Sequence, residues 1–230
     1  MFFRWLMRDG RIEANPASEL DLPRQEYRLP RDVLTAEEVE TVLAQPNLMD
    51  PLGLRDRAIL EVFYCTGIRR FELVNLTIWD VDPARGTMFV HQGKGKRDRY
   101  VPVGERALHW VERYRHEVRP LLSFDLREKH LFLSTHGGLL DLDSLGGSVT
   151  DYIEAAGIGK HGGCHLFRHT CATLMLEGGA DIRYVQEMLG HASIETTQLY
   201  TRVSVAKLRK VHEATHPGAL LPAPPPVETG

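Results

Sequence analysis

The sequence predicts an α+β fold that is mainly helical, a helical domain carrying one small three-stranded antiparallel sheet. Two observations predict it. Apolar residues recur at helical spacing along most of the chain, as in Val39, Val42 and Leu43, or in Leu108, Val111, Tyr114 and Val118. The period changes to that of strands at Thr87–His91 and Tyr100–Val103, which flank the hairpin Gln92-Gly93-Lys94-Gly95-Lys96-Arg97, with Trp79–Val81 as a third strand. A length of 230 residues allows one sizeable core.

Each element follows from local chemistry. Residues 1–30 read as the end of a larger domain and its linker: a short amphipathic piece, then Asn15-Pro16 and an extended stretch through Pro23 and Pro30. The folded domain is expected over 31–215. Thr35 and Glu38 form a capping-box pattern ahead of the Val39 stripe. A helix is expected from about Leu54 to Thr66, interrupted by Gly67, with a shorter one after it bearing Leu73 and Leu76. Beyond Gly104 the pattern is helical up to Pro120, and Leu131–Ser134 is a short extended piece. Further helices are expected at 142–156, 165–177, 181–189, 194–202 and 204–214, with Asp181 and Ser193 as N-caps and Gly178, Gly179 and Gly190 as stops. The tail, 216–230, is Pro-rich from Pro222 and expected to be disordered.

Composition narrows the functional classes. No apolar run is long enough for a membrane span, and the start is too short for a secretory signal. Cys65, Cys164 and Cys171 form no CxxC pair and read as free, buried thiols of a reducing compartment, so a cytoplasmic location is expected. The net charge of −3 is unevenly spread. Residues 85–119 hold nine Lys and Arg against four Asp and Glu, whereas residues 32–61 hold seven acids against two bases. An acidic chain can therefore present one basic face to phosphate.

Several polar residues sit at helix edges and turns. Arg69 follows Thr66-Gly67-Ile68 and stands three residues before Glu72. Lys94 lies in the glycine hairpin, where the backbone can come close to another molecule, with Lys96, Arg97 and Arg99 beside it as DNA-contacting candidates. His165 and Arg168 are three residues apart at a helix start, so an imidazole and a guanidinium share a face suited to phosphate. His191 follows Leu189-Gly190, and Tyr200 stands nine residues later. Taken singly, each of these is as well explained by a surface arginine, a solvated turn or a packed tyrosine.

Together, Thr66-Gly67-Ile68-Arg69 with Glu72, Gly93-Lys94-Gly95, His165-x-x-Arg168-His169, and Leu189-Gly190-His191 ending in Tyr200-Thr201 resemble the tyrosine recombinase, or phage integrase, family, in its Xer-like and mobile-element branches. The resemblance runs from about residue 30 to residue 213. It implies that 31–215 is the catalytic domain, with 1–30 the end of a core-binding domain. By resemblance, Arg69 and Arg168 clamp the scissile phosphate, Lys94 protonates the leaving 5′-oxygen, His165 assists proton transfer and His191 hydrogen-bonds the phosphate. Tyr200 attacks, and Glu72 orients its neighbours. The implied partner is a double-stranded DNA recombination site, with a dimer on each site and a tetrameric synapse. No cofactor or metal is expected, since the sequence shows neither a carboxylate cluster suited to Mg²⁺ nor a Walker-type loop.

Two departures stand out. Phe71 occupies a position where the family usually has a small residue, and a bulky ring there is expected to affect how Arg69 is seated. The core-binding domain is represented by only its last residues, which leaves a DNA-binding remnant without activity as one alternative. A type IB topoisomerase is another, disfavoured by the Gly190-His191 motif and its spacing to Tyr200.

Overall fold

The computed structural model describes residues 2–16, 18, 33–91, 98–125, 127–190 and 205–220, with 205–208, 219 and 220 described by backbone alone. The chain divides into two units, Met1–Arg31 and Asp32–Gly230. In the first, α1 (Phe2–Arg8) has no buried residue. The second holds the core.

Its opening helix α2 (Ala36–Leu43) begins where the capping box places it. The Thr35 N–H donates to Glu38 Oε2 at 2.7 Å, and the Glu38 N–H donates to Thr35 Oγ1 at 3.2 Å. The next helix, α3 (Pro51–Thr66), starts earlier than the expected Leu54. Asp50 caps it by accepting from the Leu52 N–H, and Pro51 fills the first turn, where a missing N–H costs nothing. From Ala58 to Thr66 every residue of α3 is buried, and the helix packs against α5 (Glu105–Arg113) and α8 (Cys164–Glu177). It ends at Gly67, whose φ of +59° is a left-handed cap that favours glycine. The turn starts α4 (Arg70–Val74) with Arg69 at its N-cap position.

The sheet has the order β1 (Val81–Asp82), β2 (Thr87–Val90), β3 (Arg99–Pro102), all antiparallel. The first strand falls later than Trp79–Val81. Asp80 closes a turn by accepting from the Thr77 N–H and hydroxyl, and this leaves Trp79 out in solvent. Val90 pairs with Arg99 and Met88 with Val101, and Met88, Val90 and Val101 are buried. Tyr100 points to the other face, half-exposed.

The helix expected to stop at Pro120 continues past it. After α5 comes one wide π-turn, Tyr114–Val118, and then α6 (Arg119–Leu122). Pro120 has no N–H to return to the preceding turn, so the widened turn absorbs the mismatch and the proline starts a new short helix. Leu131–Ser134 contributes one isolated bridge, Leu133 with Leu139. α7 (Leu142–Ala155), α8, α9 (Ile182–Leu189) and α10 (Val205–Thr215) lie close to the expected ranges. The expected helix at 194–202 with its Ser193 cap lies outside the described residues, as does 221–230. Residues 216–220 depart from the expected tail. His216 is fully buried, with Nε2 2.6 Å from Tyr64 O, and Pro217–Leu220 form α11. A buried imidazole anchors this segment against α3.

Candidate active site

Three guanidiniums converge on one helix end. The left-handed Gly67 turn presents Arg69, β3 presents Arg99, and the buried face of α8 presents Arg168. They meet at the C-terminus of α9, where the last carbonyls have no partner within the helix and carry the negative end of its dipole. Arg168 donates to Leu189 O at 2.7 Å and to Gly67 O at 2.7 Å. Arg69 donates to Leu189 O at 3.4 Å and to Gly190 O at 3.2 Å, and Arg99 donates through Nε to Met188 O at 2.7 Å. Gly190, at φ +65°, ends α9.

Glu72 completes the cluster. Its carboxylate accepts from the Arg69 backbone N–H at 2.8 Å and from Arg69 Nη1 at 3.0 Å, and takes both Nη atoms of Arg99 at 3.0 Å each. Burial pushes the Glu72 carboxyl up, but the Arg99 and Arg69 donors outweigh it and hold the group below the usual carboxylate range. Burial, followed by the neighbouring Arg69 charge, pulls Arg168 down to about 10, so it stays cationic at neutral pH. Three positive charges against one negative leave the cluster cationic.

The cluster is open on one side. The Arg69 side chain is 27% exposed, whereas Arg99 is 8% and Glu72 5% exposed. Phe71 does not unseat Arg69: its ring points out, 54% exposed, while Arg69 keeps its contacts to Glu72. His165 is exposed on α8 and lines a cleft of about 420 Å³ with Arg70, Gly146, Gly147 and Thr150. A larger pocket of about 520 Å³, around Ser134, His136 and Ser144, contains none of the candidate residues.

The structure therefore brings Arg69, Arg168 and Glu72 together and puts His165 on the surface of the same helix as Arg168. Lys94, Lys96, Arg97, His191 and Tyr200 lie outside the described residues. Arg99 does not face outward as the basic-patch expectation had it. Its side chain is buried, because it shares the inward face of β3 with Val101. His169, given no role from the sequence, is exposed one turn after His165, and burial followed by the charges of His165 and Arg168 lowers its pKa. The carbonyls of Met188, Leu189 and Gly190 carry no sequence signal beyond a helix stop, and they were not foreseen as the acceptors of the arginines.

The chain matches the phage integrase family over residues 32–207. It is 50% identical over 219 residues to tyrosine recombinase XerC 2 of Ralstonia nicotianae, which covers 95% of this chain and 63% of that protein. Among solved structures it is similar to XerA recombinase, at 34% identity and a TM-score of 0.65 over 80% of this chain and 65% of that one. It is also similar to XerH site-specific recombinase bound to its difH substrate in a pre-cleavage complex, at 29% identity and a TM-score of 0.63, over 72% of this chain and 48% of that one. The chain thus spans less than two thirds of the length of the Ralstonia relative. With its domain matched over most of its length, this chain belongs to the phage integrase family.

Proposed function

We propose that this chain cleaves and rejoins double-stranded DNA at a specific site through a covalent bond to Tyr200. The observation that carries the reading is the convergence of Arg69 and Arg168, 99 residues apart, on the Leu189 carbonyl just ahead of the segment that bears His191 and Tyr200. A phosphate oxygen carries more charge than a carbonyl and accepts stronger hydrogen bonds from arginine. A scissile phosphate entering from the exposed side of Arg69 would take over these donors.

The chemistry follows from that cradle. The Tyr200 hydroxyl gives up its proton with the help of His165, its oxygen attacks phosphorus and the bond to the 5′-oxygen breaks, which leaves a 3′-phosphotyrosine and a free 5′-hydroxyl. Lys94 supplies the proton to the leaving oxygen, and His165 and His191 assist transfer and hold the phosphate. The non-bridging oxygens gain charge in the transition state, where fixed guanidiniums stabilise them. Attack by a 5′-hydroxyl on the phosphotyrosine restores the diester without another energy source. Exchange between two duplexes requires several copies on DNA, a dimer on each site and a tetramer across two. The XerH relative bound to its substrate supports DNA as the partner.

The test is covalent capture. Fragmented genomic DNA is incubated with the chain, adducts are isolated, and the recovered sequence is rebuilt as a suicide substrate nicked beside the scissile position. The expected result is a covalent adduct with the wild-type protein and none with Tyr200→Phe. Absence of an adduct from the wild-type protein would overturn the reading.

A further inference from the structure

Arg99 sits on the inward face of β3, paired with Val90 and alternating with the outward Tyr100. Each of its three guanidinium nitrogens is engaged, two with Glu72 at 3.0 Å and one with Met188 O at 2.7 Å. Its side chain is 8% exposed. The equally buried Arg168 donates to carbonyls, which a phosphate can replace, whereas the paired grip of Arg99 on a carboxylate is not exchanged for phosphate, so Arg99 acts on its neighbours.

We propose that Arg99 is a positioning residue of the candidate active site, one that fixes Glu72 from behind, so that Glu72 orients Arg69, and ties this pair to the end of α9. The inference rests on the function proposed above. Two physical arguments carry it. Arg99 takes both carboxylate oxygens of Glu72, the same oxygens that accept from the Arg69 backbone N–H and side chain, so the carboxylate is held in the orientation that seats Arg69. Through Met188 O, Arg99 also holds the helix end whose next carbonyl takes both Arg69 and Arg168. A single buried side chain thereby sets the position of both clamping arginines. Arg99 also begins the strand that follows the Lys94 hairpin in sequence, so the anchor of that strand is shared with the clamp.

The test compares wild type, Arg99→Lys and Arg99→Gln in DNA binding against salt and in single-turnover cleavage of the captured site at saturating DNA. For Arg99→Gln the cleavage rate falls by about 100-fold, the cost of a small misplacement of reacting groups. Its affinity stays near that of wild type, and the slope of log Kd against log salt is unchanged. A lost phosphate contact would instead reduce that slope by about one, and would overturn the proposal. Arg99→Lys restores part of the rate, because it returns the charge without the paired grip. The pH profile supplies a readout that mere destabilisation would not move. Without Arg99, Glu72 protonates more readily, so cleavage by Arg99→Gln rises with pH over a range where wild type is flat. Wild-type cleavage rates in both variants would overturn the proposal. If Arg99→Gln does not fold, the Lys variant decides through its rate and its salt slope. An active wild type with unaffected Arg99 variants sinks only this inference. A wild type that forms no adduct sinks the functional reading, and the salt slope then decides the place of Arg99 alone.

Discussion

Glu61 and Glu72, before and after the Gly67 turn, are both buried glutamates held by two arginines, yet they build opposite kinds of cluster. Glu61 takes Arg57 at 2.7 Å and Arg106 at 2.9 Å. Each of those arginines then finds a second partner inside the protein, Leu43 O for Arg57 and Glu40 for Arg106. Arg57 also lies 4.7 Å from the centre of the Trp110 ring. Burial pushes the Glu61 carboxyl up, and the two arginines offset that only in part. Glu72 is held down by its arginines, and one of them, Arg69, keeps an exposed edge. The second partners also differ in kind. Around Glu61 they include a carboxylate, which no phosphate would displace. Around Glu72 they are helix-end carbonyls, which a phosphate oxygen can replace. A buried ion cluster becomes a site when one cation is left accessible and its remaining contacts are exchangeable.

The strongest way to break this comparison is to truncate the closed cluster. Glu61→Ala strands Arg57 and Arg106, and breaking a buried pair costs about 3–5 kcal/mol. Urea unfolding measures the loss. Cleavage by the fraction that stays folded should be unchanged, whereas Glu72→Ala should cut cleavage even where the protein is folded. Impaired cleavage by folded Glu61→Ala would mean that the two clusters are not separate in function.

Next in size is a pH effect centred on the closed side. His212 and His216, stacked 4.9 Å apart, donate through Nε2 to Cys65 O and Tyr64 O. Burial disfavours their charged forms, bringing His212 down to about 4 and His216 well below its ordinary value. The unfolded chain therefore takes up protons below about pH 6.5 that the folded chain refuses, and stability falls as pH falls through that window. From pH 7 to pH 5, His212 alone accounts for a loss of about 2 kcal/mol. Glu72 acts with the same sign but in a lower window. Its lowered carboxyl contributes fully above its ordinary value of 4.5 and loses that contribution only below it. A urea midpoint unchanged between pH 7 and pH 5 would contradict the neutral, buried histidines. The variant His212→Gln should flatten the dependence.

The difference between the two sides also shows what a sequence discloses. Caps and stops are local chemistry, so Thr35 with Glu38, Gly67 and Gly190 mark helix ends correctly. Arg69, Arg168 and Glu72 were legible only as a set, because each alone fits an ordinary surface role. The inward turn of Arg99 was readable from strand parity, since it shares the side of Val101, but its charge suggested a surface role. The histidine anchors were not readable. His212 sits in the last turn of a polar helix and His216 just beyond its end, and the carbonyls they seek lie 147 and 152 residues away. Burial created by so distant a contact leaves no trace in local periodicity.

The smallest effect sharpens the contrast from the closed side. The Tyr64 ring is fully buried, 4.5 Å from His216 and 5.7 Å from the Arg106 guanidinium, and its hydroxyl has no partner among the described residues. An unsatisfied buried hydroxyl costs about 1–3 kcal/mol, whereas the ring faces that meet His216 and Arg106 are the same in phenylalanine. Tyr64→Phe should therefore stabilise the protein by about 1 kcal/mol, read as a higher urea midpoint with an unchanged slope. Around Glu72 every carboxylate oxygen and every arginine is paired, so deleting a polar atom there can only cost stability. If Tyr64→Phe lowers the midpoint, the hydroxyl is satisfied in solution, and the contrast narrows to the remaining atoms of the closed side that are unpaired among the described residues, Arg106 Nη2, Trp110 Nε1 and His212 Nδ1.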